Sequence, residues 1–191
     1  MSPRAGIDKQ VILRTAAEMA DQYGFEEVTV ARLARALNIR PPSLYNHIEG
    51  LNELRRELSI YSVQMLYDHL MHAVNGRSKE EAIEALCLAY LDFSRRHPGL
   101  YEAAQLAPSP EEEEWIRLSY QVVELIMTIL EPYGLQGDEA VHHVRILRSL
   151  LHGFASLEQK NGFGLPLNLE ETQRRMIAVL IAGIQSQAEY R

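Results

Sequence analysis

Cysteine occurs once in the 191 residues, at Cys87, so the chain cannot close a disulfide on itself and fits a reducing compartment. It stands in the run Ala85-Leu86-Cys87-Leu88-Ala89, where a thiol acts as a small apolar filler rather than a reactive group. No apolar run approaches the ~18 residues of a membrane span. The opening Met-Ser-Pro-Arg-Ala-Gly has no apolar signal segment. These absences predict a cytoplasmic protein with no membrane partner. β-branched residues rarely alternate with polar ones, which argues against a sheet and leaves helical periodicity dominant. No internal repeat or flexible linker is visible.

The signatures of catalysis are also missing. There is no paired nucleophile and base, no glycine-rich phosphate loop and no metal-ligand spacing. His69 and His72 lie three apart and His142 and His143 are adjacent, but a metal site needs three or four converging ligands. Neither a metal nor a cofactor is expected, and no catalytic residue is assigned. The acidic run Glu111 to Glu114 reads as a solvated helix start, where the helix dipole favours carboxylates.

What the chain does have is apolar material and unevenly placed charge. Apolar residues make up 47%, enough for a buried core. The net charge of −7 falls entirely after residue 57, because residues 1–57 carry eight Lys/Arg and eight Asp/Glu. An acidic body with a neutral N-terminal part can bind a polyanion if its cations share one face.

The periodicity predicts an all-α chain of about nine helices. Asp8 caps a first helix with Val11, Ile12, Thr15, Ala16, Met19 and Ala20 on one face, and Gly24 stops it. Thr29 caps a second helix whose Val30, Leu33, Ala34 and Leu37 line one side. Asn38 breaks it, because Asn tolerates the left-handed backbone of a tight turn. Pro41-Pro42 opens a third helix, where absent N–H groups cost nothing, and Gly50 ends it. Longer helices follow over 51–74, 79–96, 111–130, 138–160 and 169–187, with a short one over 100–106. Asp138 is the expected cap of the helix it begins.

Two short amphipathic helices joined by a tight turn, with a third before them, describe a helix-turn-helix unit. Ala34 and Ile39 supply the small or apolar contacts at the crossing. Arg40 and Ser43 stand where base edges are read, and Tyr45 and His47 can donate to phosphates. The competing readings are a solvated role for Arg40, half-buried packing for Tyr45 and a plain surface position for His47. Arg32 and Arg35 read as a solvated helix face.

The stretch from Thr29 to Ile48, with its Leu33-Ala34 pair, its turn and Leu44-Tyr45-Asn46-His47-Ile48, resembles the DNA-binding domain of the TetR family of repressors. The resemblance covers about residues 8–56. It implies that Thr29 caps its helix and touches a phosphate. It implies that Arg40, Pro41, Ser43 and Leu44 face base edges or a thymine methyl, and that Tyr45 and His47 hold backbone phosphates. Arg4 would belong to a basic N-terminal arm. Three positions depart from the family pattern. Asn38 replaces the turn glycine, Arg40 replaces a Ser or Thr cap, and Leu51 replaces a lysine at the start of the fourth helix. Leu151-His152-Gly153-Phe154 resembles the Trp-His-Gly-type motif of one branch of the family.

The expected division is a DNA-binding domain over 1–50 and a ligand-binding and dimerisation domain over 51–191. Tyr61, Met65, His69, Tyr90, Phe93, Tyr101 and His152 are the candidate contacts of a small-molecule ligand. Ordinary core packing is the competing reading for each, as it is for His97 and Trp115. The expected homodimer face comprises Val144, Leu147, Leu151 and Phe154 on one helix and Ile177, Leu180, Ile181 and Ile184 on the next. Ala182 and Gly183 would allow close approach. Four such helices make a bundle across a two-fold axis. The partners are therefore double-stranded operator DNA, an effector molecule and a second copy. The rivals are an all-helical enzyme or small-molecule carrier without a DNA role, and a helical adaptor that binds only protein.

Overall fold

A computed structural model describes residues 8–189, and Arg4 lies outside them. Among the described residues there are nine α-helices and no strand. They are α1 (Lys9–Tyr23), α2 (Val30–Ala36), α3 (Pro41–Leu44), α4 (Leu51–Val74), α5 (Lys79–Arg96), α6 (Pro98–Ala104), α7 (Glu113–Leu130), α8 (Gly137–Gln159) and α9 (Leu169–Glu189), with 3₁₀ turns at Phe25–Glu27 and Glu131–Tyr133.

Local chemistry sets most of these boundaries. The Asp8 carboxylate accepts the Val11 N–H at 2.8 Å and starts α1. Gly24 ends it with φ +100°, a conformation that side chains resist. The expected cap at Asp138 is not used. α8 opens one residue earlier, at Gly137, behind Gln136, which makes no side-chain cap, and Asp138 lies within its first turn. There the carboxylate favours the helix through its dipole instead.

The chain divides into two compact units, and the cut does not fall at residue 50. One unit holds the described part of Met1–Met65 together with Arg96–Trp115; the other holds Leu66–Arg95 and the described part of Ile116–Arg191. In the first, α1 packs on α2 and on α6, and α2 packs on α3. Its core includes Ile12, Ala16, Phe25, Leu33, Leu44 and Leu58. In the second, α8 packs against α9. Arg95 at the end of α5 ties both down, bonding Glu158 of α8 at 2.9 Å and Gln173 of α9 at 2.6 Å. Cys87 is buried there, and burial, reinforced by Glu84, pushes its thiol up to about 12, so it stays protonated and inert.

Candidate nucleic-acid interface

The second helix begins where the Thr29 hydroxyl accepts the Arg32 N–H at 3.3 Å. α2 then buries Leu33 and Ala34 and leaves Ala31, Arg32 and Arg35 outside. Its end is a Schellman closure. Asn38 takes φ +54°, its N–H reaches the Arg35 carbonyl at 3.0 Å, and the Ile39 N–H reaches the Ala34 carbonyl at 2.9 Å. Asparagine thus performs the turn that glycine would otherwise supply.

Arg40 precedes α3 in an extended conformation and caps nothing with its side chain. The loss is small, because Pro41 and Pro42 bring no N–H to satisfy. The next amide, that of Ser43, bonds the Arg40 carbonyl at 2.9 Å. The Arg40 guanidinium is therefore left on the surface.

α3 is shorter than its sequence implies, four residues followed by turns to His47. The His47 and Ile48 N–H groups both return to the Leu44 carbonyl, at 2.8 and 3.0 Å. Leu44 and Ile48 are buried and hold this segment down. The opposite side presents Arg40, Pro41, Ser43, Tyr45 and His47 to solvent, with Tyr45 56% exposed. Leu44 corrects the expectation for its residue. It is 0% exposed, so its side chain belongs to the core and cannot reach a thymine methyl without unpacking the unit.

The cations of this region are not equivalent. Arg32 pairs with Glu27 at 2.8 Å and lies 6.0 Å from the Tyr23 ring centre. Arg55 is held by Glu26 at 2.7 Å, and Lys9 by Glu57 at 2.8 Å. Arg35 and Arg40 flank the turn, both exposed, and no described residue forms an ion pair with either. The sequence pattern treats Arg32 and Arg35 alike; the structure separates them.

The family model described as "Bacterial regulatory proteins, tetR family" matches residues 12–58, and that of the "Tetracyclin repressor-like, C-terminal domain" matches residues 83–180. The chain belongs to the TetR family. YobS, an HTH-type transcriptional regulator of Bacillus subtilis, is 39% identical over 185 residues, 96% of each chain. A protein of unknown function from Rhodococcus sp. RHA1 shares the fold of this TetR-family regulator with a TM-score of 0.80 at 17% identity, over 96% of this chain and 98% of that one. The Streptomyces coelicolor TetR family protein ActR, solved in complex with (S)-DNPA, superposes with a TM-score of 0.64 at 19% identity, over 96% of this chain and 100% of that one. The C-terminal match does not assign the regulator to the Trp-His-Gly branch.

The C-terminal half of this TetR-family regulator corrects a second expectation. Val144, Leu147, Leu151, Phe154, Ile177, Leu180 and Ile184 are buried within the single chain, and Ile181 is half-buried. The seven buried side chains belong to the core of their own subunit, and of the eight only Ile181 keeps surface that a second copy could cover. The outward apolar residues are their neighbours around each helix. On α8 these are Ile146, 48% exposed, Leu150, 39%, and Leu157. On α9 they are Val179, 72% exposed, with Ala178, Ala182 and Gly183 beside it. α8 has an apolar arc wide enough to serve both sides, and the periodic stripe alone does not say which side faces in.

The candidate ligand contacts divide between the two units. Tyr61 and Met65 are half-buried and Tyr101 is buried in the first. In the second, Tyr90 and Phe93 are buried, and His69 lies 6.0 Å from the Phe93 ring and 3.2 Å from the Asp92 carboxylate. His152 is exposed; partial burial, then the nearby Arg148 and Lys160, lower its pKa. Among the described residues no group of three or more His, Cys, Asp or Glu is placed to hold a metal, and no helix is long and apolar enough to cross a membrane.

Proposed function

We propose that this regulator is a homodimeric repressor that leaves a palindromic operator when a small molecule binds, with no enzymatic activity. Residues 1–50 would engage DNA and residues 51–191 would hold the effector and the second subunit. The observation that carries the reading is the polar side of α3, with Arg40, Ser43, Tyr45 and His47 exposed over buried Leu44 and Ile48. Arg40 and Ser43 would read bases, Tyr45 and His47 would hold phosphates, and Arg35 would add a cation beside the turn. One helix-turn-helix covers too little DNA for tight specific binding, so two copies on a two-fold site are required. The exposed Ile146, Leu150 and Leu157 of α8 and the small outward residues of α9 supply an apolar surface for that pairing.

ActR, with (S)-DNPA bound, is a precedent for an effector site on this fold. Tyr61, Met65 and His69 recur at i, i+4 and i+8 on α4 and remain the first positions to probe. An effector acts only if it binds the two arrangements of the protein unequally. A protein that occupies promoters works where the chromosome is, which in a bacterium is the cytoplasm. The decisive experiment is selection of duplexes from a random pool at two salt concentrations. A palindromic consensus whose affinity falls steeply with salt is expected. Enrichment of no sequence would remove the DNA role and return the all-helical carrier to first place.

A further inference from the structure

Asp21 lies in the last turn of α1, and its carboxylate is committed to the start of α6. Oδ1 accepts the N–H of Gly99 at 3.1 Å and that of Leu100 at 3.0 Å; Oδ2 lies 2.7 Å from Nδ1 of His97. α6 opens with Pro98, which has no N–H, and His97 provides no side-chain cap. The first donors of α6 are therefore those of Gly99 and Leu100, and a carboxylate on α1 takes both. Such a cap normally comes from the residue just before the helix. Gly99 completes the joint. A Cβ there would stand 2.0 Å from the Ala20 carbonyl oxygen and 2.2 Å from its carbon. The obstacle is backbone, and that same oxygen accepts the Gly24 N–H that closes α1, at 2.8 Å. To admit a Cβ, either α6 must draw away from Asp21 or the end of α1 must open.

We propose that Asp21 and Gly99 are positioning residues for DNA binding. They make α6 a working part of the DNA-binding unit, so the placement of α1, and through it of α2 and α3, is fixed from the start of α6. The proposal rests on the reading of α3 as the DNA-contacting helix. α2 packs on α1, α1 is joined to α6, and residues 96–115 cluster with the N-terminal helices rather than with α5.

The test uses the full chain and the duplex that the unaltered protein selects from a random pool. Asp21→Ala and Gly99→Ala should each lose about tenfold in affinity, within the usual range of coupling between sites. The selected half-site sequence should stay the same. Asp21→Asn keeps the Oδ1 acceptor and should recover most of the loss, which a mere change of charge would not allow. Folded Asp21→Ala and Gly99→Ala proteins that bind as tightly as the unaltered chain overturn the proposal. Should both variants unfold, hydrogen exchange on the unaltered protein decides. The amides of residues 99–104 should slow together with those of α2 when the duplex is added, and unchanged exchange in α6 overturns the proposal. An unaltered chain that selects no duplex overturns the DNA reading and this proposal with it. One that selects a duplex without these effects overturns this proposal alone.

Discussion

The segment led by α3 and the helix α8 each bury one side and expose the other, yet what they expose is opposite in kind. The first shows Arg40, Ser43, Tyr45 and His47, groups that water already satisfies. The second shows Ile146, Leu150 and Leu157, groups that gain by leaving water. Fully burying an aliphatic side chain is worth ~1.5–3 kcal/mol, and covering these half-exposed ones returns a part of that each, so this side favours an apolar partner. Donors and a cation gain little from an apolar cover but much from phosphates and base edges. Exposure by itself does not name a partner; the chemistry of the exposed atoms does. The contrast can be broken by substitutions that strike the buried or the exposed side of either segment.

The largest effect is expected on α8. Leu147 is 2% exposed and Leu150 39%. Leu147→Glu places a carboxylate in the subunit core at a cost of several kcal/mol. That is a large part of a typical stability of ~5–15 kcal/mol, so thermal unfolding should lose its cooperative transition or shift far down. Leu150→Glu should keep helicity and melting behaviour but sediment as a monomer. If Leu150→Glu remains a dimer, the subunits meet elsewhere.

Next in size is the pair on α3. Leu44→Ala should destabilise the protein by ~2–5 kcal/mol while leaving the selected DNA sequence unchanged, because a core side chain reads no base. Ser43→Ala and Arg40→Ala should do the reverse. Stability should hold, and preference at one or two positions of each half-site should relax by ~1–3 kcal/mol. A selected consensus that changes with Leu44→Ala but not with Ser43→Ala would invert the assignment.

These pairs also mark how far the sequence could be read. The caps at Asp8 and Thr29 and the left-handed turn at Asn38 are legible because each depends on one residue and its neighbours. The helical class follows from periodicity, and so does the extent of α5, Lys79–Arg96. Leu44 and the α8 stripe are less legible. Periodicity says that a face is apolar but not whether it meets its own subunit or another, and α8 is apolar over more than one face. The bonds from Asp21 to Gly99 and Leu100 span 78 and 79 positions and leave no local pattern. The only hint is His97-Pro98-Gly99, which stops α5 at Arg96 and also opens α6 at Pro98.

A smaller effect is expected at Tyr45 and His47. Both are exposed, so neither Tyr45→Phe nor His47→Ala should disturb the fold. Each would remove a hydrogen bond to phosphate, with a net contribution of ~0.5–1.5 kcal/mol, or more where the phosphate charge strengthens it. The loss should be the same on selected and on random duplexes, since phosphates carry no sequence. Titrations on both duplexes check this. A loss confined to the selected duplex would move the residue from the backbone to the bases.

The smallest effect belongs to the start of α9, where the C-terminal region is polar. The Asn168 side chain accepts the Glu170 N–H at 2.8 Å and begins the helix. In the first turn Glu171 accepts from Arg174 at 2.7 and 2.8 Å and from Arg175 at 2.6 Å. Those hydrogen bonds, first from Arg174 and then from Arg175, hold its carboxyl down to about 2, against an ordinary 4.5. The folded protein therefore binds this proton less readily than the unfolded chain. The resulting stabilisation is fully present above about 4.5 and disappears as the pH falls through about 2. All three side chains are in water, so salt should weaken the effect and its size should be slight. The melting temperature of the unaltered protein should exceed that of Glu171→Gln near neutral pH, and the gap should close on acidification and narrow with added salt. A gap that persists unchanged at both low pH and high salt would mean that Glu171 acts through packing, and the start of α9 would then resemble the aliphatic side of α8 rather than the polar side of α3.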